Sequence, residues 1–456
     1  MNITKEITRL EKSSLKLSLT VAKEEVRSEY DELLKEYTKS IQIPGFRKGK
    51  VPRDVLVRKF GEALKGEAMG KIMEKAVVKV FEDEAFPREN KPLPYSTPSV
   101  QDEPKLDLDS DLSFSVVYDV LPAVKLGKWE ELSIEIPDVS ISDEDLSREL
   151  DVIRERNAIV LDKSDEEKSE MGDVVTVTYC ELDRDTGEVL ERSEREDFTY
   201  TLGTGFHAYE FDDEITGMKK GETREFTKAY PEDHKDFPGK TMKFRLKLTA
   251  LKRKNLPDLD DDLAQDVDEK FKTLDDLKNS VRQRLEKDLQ RMIREIKLNK
   301  LLEKIMEDTP VEIPESMLRM ELDSRWRNLA RRFNTDSEGL YKMMENSAER
   351  AESIIESWKP DAVKGLHNRL IIETLMEDLK LEASEEDVEK EIERQAEDSG
   401  TDPEEYRKYY EGEQLRDYLK ETIKERKALD ILLEKNTFTS GKKEKFADLA
   451  GNLNIG

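Results

Sequence analysis

The period of the hydrophobic pattern changes along this chain, and no single small fold accommodates both periods. From about residue 172 apolar residues alternate with polar ones: Val175, Val177 and Tyr179, then Phe198, Tyr200 and Leu202, then Met242, Phe244, Leu246 and Leu248 interleaved with Lys243, Arg245 and Lys247. Period two belongs to strands with one buried face. The Asp185-Thr186-Gly187 and Gly203-Thr204-Gly205 turns between them predict a compact antiparallel β domain. Beyond Pro257 the spacing becomes three or four. Thr273 is placed to cap a helix whose Leu274, Leu277, Val281, Leu285, Leu289, Ile293 and Ile296 form one stripe. Pro314 starts another helix, Gly339 and Pro360 are expected to interrupt later ones, and Ser384 and Thr401-Asp402-Pro403 begin two more.

The first segment is mixed. It carries strand-like alternation at Leu15, Leu17 and Leu19, a helical run over 21–37, a loop over 43–51, helical spacing over 63–81, and a strand with Leu112, Phe114, Val116 and Tyr118 on one face. Pro122 and Pro137 mark a connector, and Ser142 to Asp145 offers an N-cap with a capping-box acid. The expected organisation is therefore α+β and multidomain. A small α+β domain spans 1–118, and a helix-bearing linker over 119–166 belongs to the helical body. An antiparallel β domain spans 167–254, an elongated all-α domain with arms spans 255–436, and 437–456 forms a frayed tail.

A length of 456 residues suits roughly two to four domains. The net charge of −27 excludes a dedicated nucleic-acid binder, because phosphate backbones repel a broadly acidic surface. Cys180 is the single cysteine, which rules out an intrachain disulfide and reads as a small buried hydrophobe on a strand. His207, His234 and His367 are scattered, so no metal site is expected. The first residues lack the apolar core of a secretory signal, and no stretch approaches the roughly 18 apolar residues of a membrane span. The expectation is a cytoplasmic protein with no membrane partner. A nucleotide-binding Gly-x-x-x-x-Gly-Lys-Ser/Thr loop is also missing, so neither ATP nor another cofactor is expected.

Within this acidic chain one segment is basic. Gly45-Phe46-Arg47-Lys48-Gly49-Lys50-Val51-Pro52 sets one aromatic among basic and glycine neighbours, with Pro44 and Pro52 resisting helix on either side. Six Lys or Arg residues and one acid between Pro44 and Phe60 give about +5. Taken alone, such a loop is a solvated basic turn beside a core phenylalanine. The eight-residue string, however, resembles the ribosome-docking signature of the trigger factor family. Its place before a β domain and a helical remainder resembles that family too, so the likeness covers essentially the whole chain. The resemblance implies that Phe46, Arg47 and Lys48 contact a protein of the large ribosomal subunit and adjacent ribosomal RNA at the exit tunnel. Gly45 and Gly49 would shape the loop and Lys50 extend its charge. Phe46 would fill an apolar notch while the basic residues pair with carboxylate or phosphate. The resemblance also implies a monomer and a homodimer off the ribosome.

Residues 172–253 resemble an FK506-binding-protein-type prolyl isomerase. The resemblance rests on the opening Gly172-Asp173-Val174-Val175-Thr176-Val177, the stretch from Phe211 through Gly217-Met218-Lys219-Lys220-Gly221 to Glu222, and the closing Lys243-Phe244-Arg245-Leu246. Isomerising an X-Pro bond lowers a barrier of about 18–20 kcal/mol set by amide resonance. No acid, base or nucleophile is required, only an apolar pocket that strips water from the amide. The resemblance puts Phe211 at the pocket floor with Phe198, Ile215 and Phe244 lining it. Plain core packing is the competing reading for the three phenylalanines. Leu190 replaces an expected aromatic, Tyr209-Glu210 replaces Pro-Gly, and His234, which reads as a surface loop residue, replaces a tyrosine. These departures predict weak to moderate activity.

The helical region holds Met292, Met306, Met317, Met320, Met343, Met344 and Met376, with Trp326 and Trp358. Methionine adapts to varied apolar partners, so Met317, Met320, Trp326, Met343 and Met344 are candidates for contact with nascent or unfolded polypeptides, against the alternative that they fill helix seams. Acidic rims such as 385–397 would keep such a surface soluble. The composite expectation is an ATP-independent chaperone at the exit tunnel that also isomerises X-Pro bonds. Its rivals are a free cytosolic prolyl isomerase or holdase, and an assembly factor for folded complexes.

Overall fold

A computed structural model of the chain describes residues 2–44, 46, 50–102, 104–205, 209–344 and 347–453. It divides into two compact units, one of residues 1–136 with 295–439 and the other of residues 137–294 with 440–456.

The first unit opens with a four-stranded antiparallel sheet in the order Ile3–Arg9, Ser14–Val21, Leu112–Asp119, Ser99–Val100. Its register sets Leu17 opposite Val116 and Leu19 opposite Phe114. The alternating apolar residues therefore lie on one face, with Leu15, Leu17, Leu19, Val21, Leu112, Phe114 and Val116 buried. Two helices cover that face, Lys23–Ser40 with Val26, Tyr30, Leu33 and Leu34, and Arg53–Glu82 with Leu56, Leu64, Ala68, Ile72, Ala76 and Val80.

The same unit contains a helical body. The later part of the helix Leu274–Glu307, the helix Ala348–Asp378 and the helix Glu413–Glu434 share a core of Leu301, Ile305, Ile371, Leu375, Ala428 and Leu432. Ile134 and the half-buried Trp129 enter that core from the connector. Asn436 fastens the connector in place: its Nδ2 donates to Trp129 O (3.0 Å) and Leu432 O (2.7 Å), and its Oδ1 accepts the Leu132 N–H (2.7 Å). Gly127 also runs against the end of the long helix, where an added Cβ would come within 2.3 Å of Asp308 O. Its N–H donates to the buried Thr309 Oγ1 at 3.0 Å.

Pro360 does not interrupt a helix as expected but lies inside Ala348–Asp378. It sits on the exposed side, so the lost N–H and displaced carbonyl face water, while Ala351, Ala362, Leu366 and Leu370 hold the helix on its buried side. Gly339 likewise lies within a helix, Ser337–Met343, capped by Asp336, whose side chain accepts the Gly339 N–H at 2.7 Å. The expected frayed tail carries structure as well: a strand at Thr437–Lys443 and a helix at Phe446–Leu453. The Thr437 N–H bonds to Leu132 O, about 300 residues away in sequence, and Phe438 packs on the core of the body, so that the order of this segment comes from tertiary partners rather than a local signal.

One arm of the body pairs Glu385–Ser399 with Glu413–Glu434 through Val388, Ile392, Leu419 and Ile423. Ser384 and Asp387 form a capping box at its start, and Gly400, at φ +66°, turns the chain out of the first helix. Glu391 is buried on that helix. Burial opposes its ionisation, but hydrogen bonds from Arg394 (2.7 and 3.1 Å), Gln395 (2.8 Å) and Arg426 outweigh this and hold its pKa down at about 2.

In the second unit, the helix Asp143–Arg156 begins with the predicted capping box, Ser142 with Asp145. Its Leu146 and Leu150 pack against Leu277, Val281 and Leu285 of the first part of the long helix. This unit also holds the short helix Asp261–Val267 and a five-stranded antiparallel sheet. Its fifteen-residue strand Thr241–Asn255 is central, pairing along one edge with Val174–Leu182 and along the other with Thr223–Ala229 and then Ile159–Asp162. Arg195–Thr201 completes the sheet beside Val174–Leu182.

Because the Glu391 carboxylate titrates below its ordinary value of 4.5, its contribution is complete above that pH and is lost as the pH falls through about 2. Hydrogen exchange of the Glu385–Ser399 helix should therefore accelerate across that window before the β domain opens. Glu391→Ala, which strands Arg394 and Arg426, should destabilise the arm by roughly 3 kcal/mol in urea unfolding at neutral pH.

Candidate functional site

The β domain concentrates aromatic rings on one side of its sheet. Phe244 stands on the central strand directly opposite Phe226, Tyr179 comes from Val174–Leu182, and Phe198 comes from the next strand. Phe211 precedes the single-turn helix Asp212–Ile215. That turn is pinned from outside the sheet by the buried Ser169, whose Oγ donates to Ile215 O (2.6 Å) and accepts the Met218 N–H (3.0 Å). Ser169 is placed in turn by the neighbouring pair Lys163 Nζ to Asp173 Oδ2, 2.5 Å apart and buried. Neither Ser169 nor this pair has a sequence signal of its own.

The expected floor and walls do come together. Phe211 meets Phe244 edge-on at 4.9 Å between centroids, Tyr179 at 5.3 Å and Phe226 at 5.3 Å. Ile215 closes the base of the same core. Phe198 lies at its margin, half-buried, 6.3 Å from Tyr179 and 5.6 Å from Tyr200. Six aromatic members escaped the sequence reading as site residues: Tyr179, Tyr200, Tyr209, Phe226, Tyr230 and Phe237. Tyr179 and Tyr200 sit in strands whose alternation was legible; Phe226 lies in Thr223–Ala229, which carries no apolar alternation, and Phe237 is a loop residue that only the tertiary fold brings in. Burial pushes the phenols of Tyr179, Tyr200, Tyr209 and Tyr230 above their ordinary range. They stay protonated, and the cluster offers rings and hydroxyl groups rather than a tuned acid or base.

Of the positions that depart from the pattern, Leu190 is exposed in a turn. His234 lies in a loop as expected, with its ring packed against its neighbours. Its ring packs on Tyr230 (4.8 Å) and Phe237 (5.8 Å), and its Nδ1 accepts the N–H groups of Asp236 (3.2 Å) and Phe237 (3.0 Å). The proton therefore resides on Nε2, which points toward Glu210 Oε1 at 3.7 Å. Glu210 takes φ +51°, a left-handed conformation costly for a residue with a Cβ.

In the other unit, the basic loop joins the two helices that cover the sheet. Ile43 and Val51 are buried at its feet and Phe46 is 38% exposed between them, its N–H bonded to Ile43 O. Lys50 is exposed. Gly45, Arg47, Lys48 and Gly49 lie outside the described residues.

The methionine candidates divide. Met317 and Met320 line a cleft of about 270 Å³ together with Tyr95, Leu121, Leu366 and Leu370, edged by Glu321, Arg369 and Glu373. Leu121 is 53% and Met320 46% exposed there. Met343 is exposed and Met344 caps its short helix, both away from that lining. Trp326 is spent on helix packing, 6.4 Å from Trp358 with its Nε1–H directed at Ser337 O (3.4 Å). Met306 and Met376 are half-buried and pack against the core of the body. Among the described residues no helix is long and apolar enough to cross a membrane.

A small helix-on-sheet domain, an antiparallel β domain with an aromatic core and a helical body make up a modular chain that carries a prolyl-isomerase-type domain. Residues 1–153 match the family described as bacterial trigger factor protein, residues 165–249 match FKBP-type peptidyl-prolyl cis-trans isomerase, and residues 273–434 match the bacterial trigger factor C-terminus. The chain is 41% identical to the trigger factor of Treponema denticola over 98% of its own length and 99% of that protein. It is 37% identical to that of Treponema pallidum over 98% of both chains. A solved structure described as "Promiscuous Substrate Recognition in Folding and Assembly Activities of the Trigger Factor Chaperone" aligns with 94% of this chain and 99% of its own, at 25% identity and a TM-score of 0.48. The chain belongs to the trigger factor family of chaperones.

Replacing Glu210 by glycine removes the left-handed strain at the cost of an exposed contact with His234. The Glu210→Gly variant should gain about 0.5–1 kcal/mol, seen as a higher urea midpoint for the β domain at unchanged slope. A lower midpoint would mean that the His234 contact outweighs the backbone term.

Proposed function

We propose that this protein is an ATP-independent chaperone of the bacterial cytoplasm that docks on the large ribosomal subunit beside the exit tunnel and shields emerging polypeptides. In this reading Phe46, Arg47 and Lys48 make the docking contact. The cleft with Met317 and Met320 receives apolar client side chains, and the β domain isomerises X-Pro bonds as an auxiliary activity. The observation that carries the docking reading is the exposure of Phe46 on a loop whose two feet, Ile43 and Val51, are buried. An apolar ring held out at a fixed point is suited to entering a notch, and the surrounding positive charge is suited to a phosphate-rich surface. Membership of the trigger factor family supports the chaperone role.

The cleft supports the client role by its chemistry. Unbranched thioether side chains can repack around varied apolar groups, and the charged rim of Glu321, Arg369 and Glu373 keeps the opening hydrated. Binding of this kind is weak and broad, which suits a holdase better than an assembly factor committed to one partner. The aromatic cavity supports the isomerase role, since desolvation of the amide is what the reaction needs.

Co-sedimentation with ribosomes tests the docking. The variant Phe46→Ala/Arg47→Ala/Lys48→Ala should lose binding at physiological salt while its circular dichroism is unchanged, and native binding should weaken as salt is raised. Equal sedimentation of the two proteins would leave a free chaperone or isomerase as the better description. For the cleft, Met320→Glu should reduce suppression of aggregation of a chemically unfolded protein several-fold without altering ribosome binding, because a carboxylate at the mouth of an apolar cleft must be desolvated when a client enters.

A further inference from the structure

The aromatic cluster that the isomerase reading takes as a prolyl site is packed against by a further ring of this chain. Phe211, Ile215 and Phe244 are 0%, 0% and 1% exposed, so no floor surface is left for an incoming proline. Tyr209 lies nearly parallel to Phe211 (5.4 Å, 10°) and to Phe237 (4.8 Å, 8°), and also contacts Phe244 (5.1 Å) and Tyr179 (5.8 Å). It is half-buried. Its backbone is tethered: Tyr209 O accepts the Tyr230 hydroxyl at 3.0 Å, and the next carbonyl, of Glu210, accepts Lys228 Nζ. Glu210 at φ +51° then turns the chain so that residues 209 and 211 both project rings into the same space.

We propose that Tyr209 is an intramolecular occupant of the prolyl site, and that a substrate proline reaches Phe211 only after the Tyr209 ring has swung out. The inference rests on the isomerase reading of the cavity. With the main chain held at both carbonyls, the motion is a side-chain rotation rather than a loop opening. The ring competes with substrate for one apolar surface, so it lowers apparent affinity in proportion to the fraction of time it is seated. The signature is a raised KM at little-changed kcat. Tyr209 is thus a positioning residue that sets access, while Phe211 and its neighbours do the desolvating.

The test uses the full chain and the tetrapeptide Ala-Phe-Pro-Phe, with cis–trans exchange followed by NMR. Tyr209→Ala should raise kcat/KM about tenfold through KM if the native ring is seated roughly nine-tenths of the time, and Tyr209→Phe, which keeps the ring, should behave as native. A Tyr209→Ala protein with intact near-UV circular dichroism and equal or lower kcat/KM would overturn the proposal and leave Tyr209 as an ordinary wall. If neither protein turns the peptide over, the isomerase reading fails, and calorimetry decides separately: tighter peptide binding by Tyr209→Ala supports the occluding ring, and equal or absent binding rejects it. Should the alanine variant lose its near-UV signal, native protein labelled with 3-fluorotyrosine replaces it. The Tyr209 resonance, assigned by its absence in Tyr209→Phe, should move toward that of free tyrosine as peptide is added, and an unmoved resonance would overturn the proposal.

Discussion

The helical body depends on one amide. Its core draws Ile134 from before the β domain, Leu301 and Ile305 from after it, and Leu432 from the far end of the chain. Asn436 ties the first of these segments to the last with two hydrogen bonds, to Trp129 O and from Leu132 N–H, while a third holds its buried side chain to Leu432 O of its own segment. Closing a loop of about 300 residues costs only slightly more than closing one half as long, on the order of 0.6 kcal/mol for each doubling. That slow growth lets a whole β domain stand between two parts of a single core. The joint must then be specific, because an amide with its bonds satisfied in one register is costly in any other. Gly127, packed against Asp308 where no side chain fits, fixes the neighbouring stretch of the connector by shape.

How much of this was legible in the sequence follows from where each segment finds its partners. The strands with Val175, Val177 and Tyr179 and with Phe244, Leu246 and Leu248 announce themselves because one face is buried and one is wet. The caps at Ser142, Ser384 and Asp402 are local chemistry and were readable as such. The edge strand Ile3–Arg9 offers only Ile3 and Ile7 among charged and hydroxyl residues, too little alternation to declare it. Thr437–Lys443 has a single large apolar residue, Phe438, and takes its order from the connector. Pro360 misled because a proline rule written for isolated helices takes no account of packing on the opposite face.

The candidate site shows the same division. Phe211, Ile215 and Phe244 were found through motif likeness, and the structure packs them together. What the motif could not convey is the consequence of its own departures. Tyr209 in place of a small turn residue reads as a loss in sequence, whereas in space it adds a ring to the cavity. His234 reads as an exchanged loop residue, yet its Nδ1 organises the turn that carries Phe237. Among the methionines, spacing alone could not separate Met317 and Met320, which line a cleft, from Met306 and Met376, which pack against a core.

That separation bears on how the molecule would respond to oxidants. Conversion of a thioether to a sulfoxide turns an apolar, pliable side chain into a polar one, and it proceeds where solvent reaches the sulfur. Met320, 46% exposed on the cleft, is more open to solvent than Met306 and Met376, which are half-buried against the core that holds the body together. Peroxide would thus polarise the apolar surface first while the scaffold stayed intact, and a methionine sulfoxide reductase could restore that surface without any refolding.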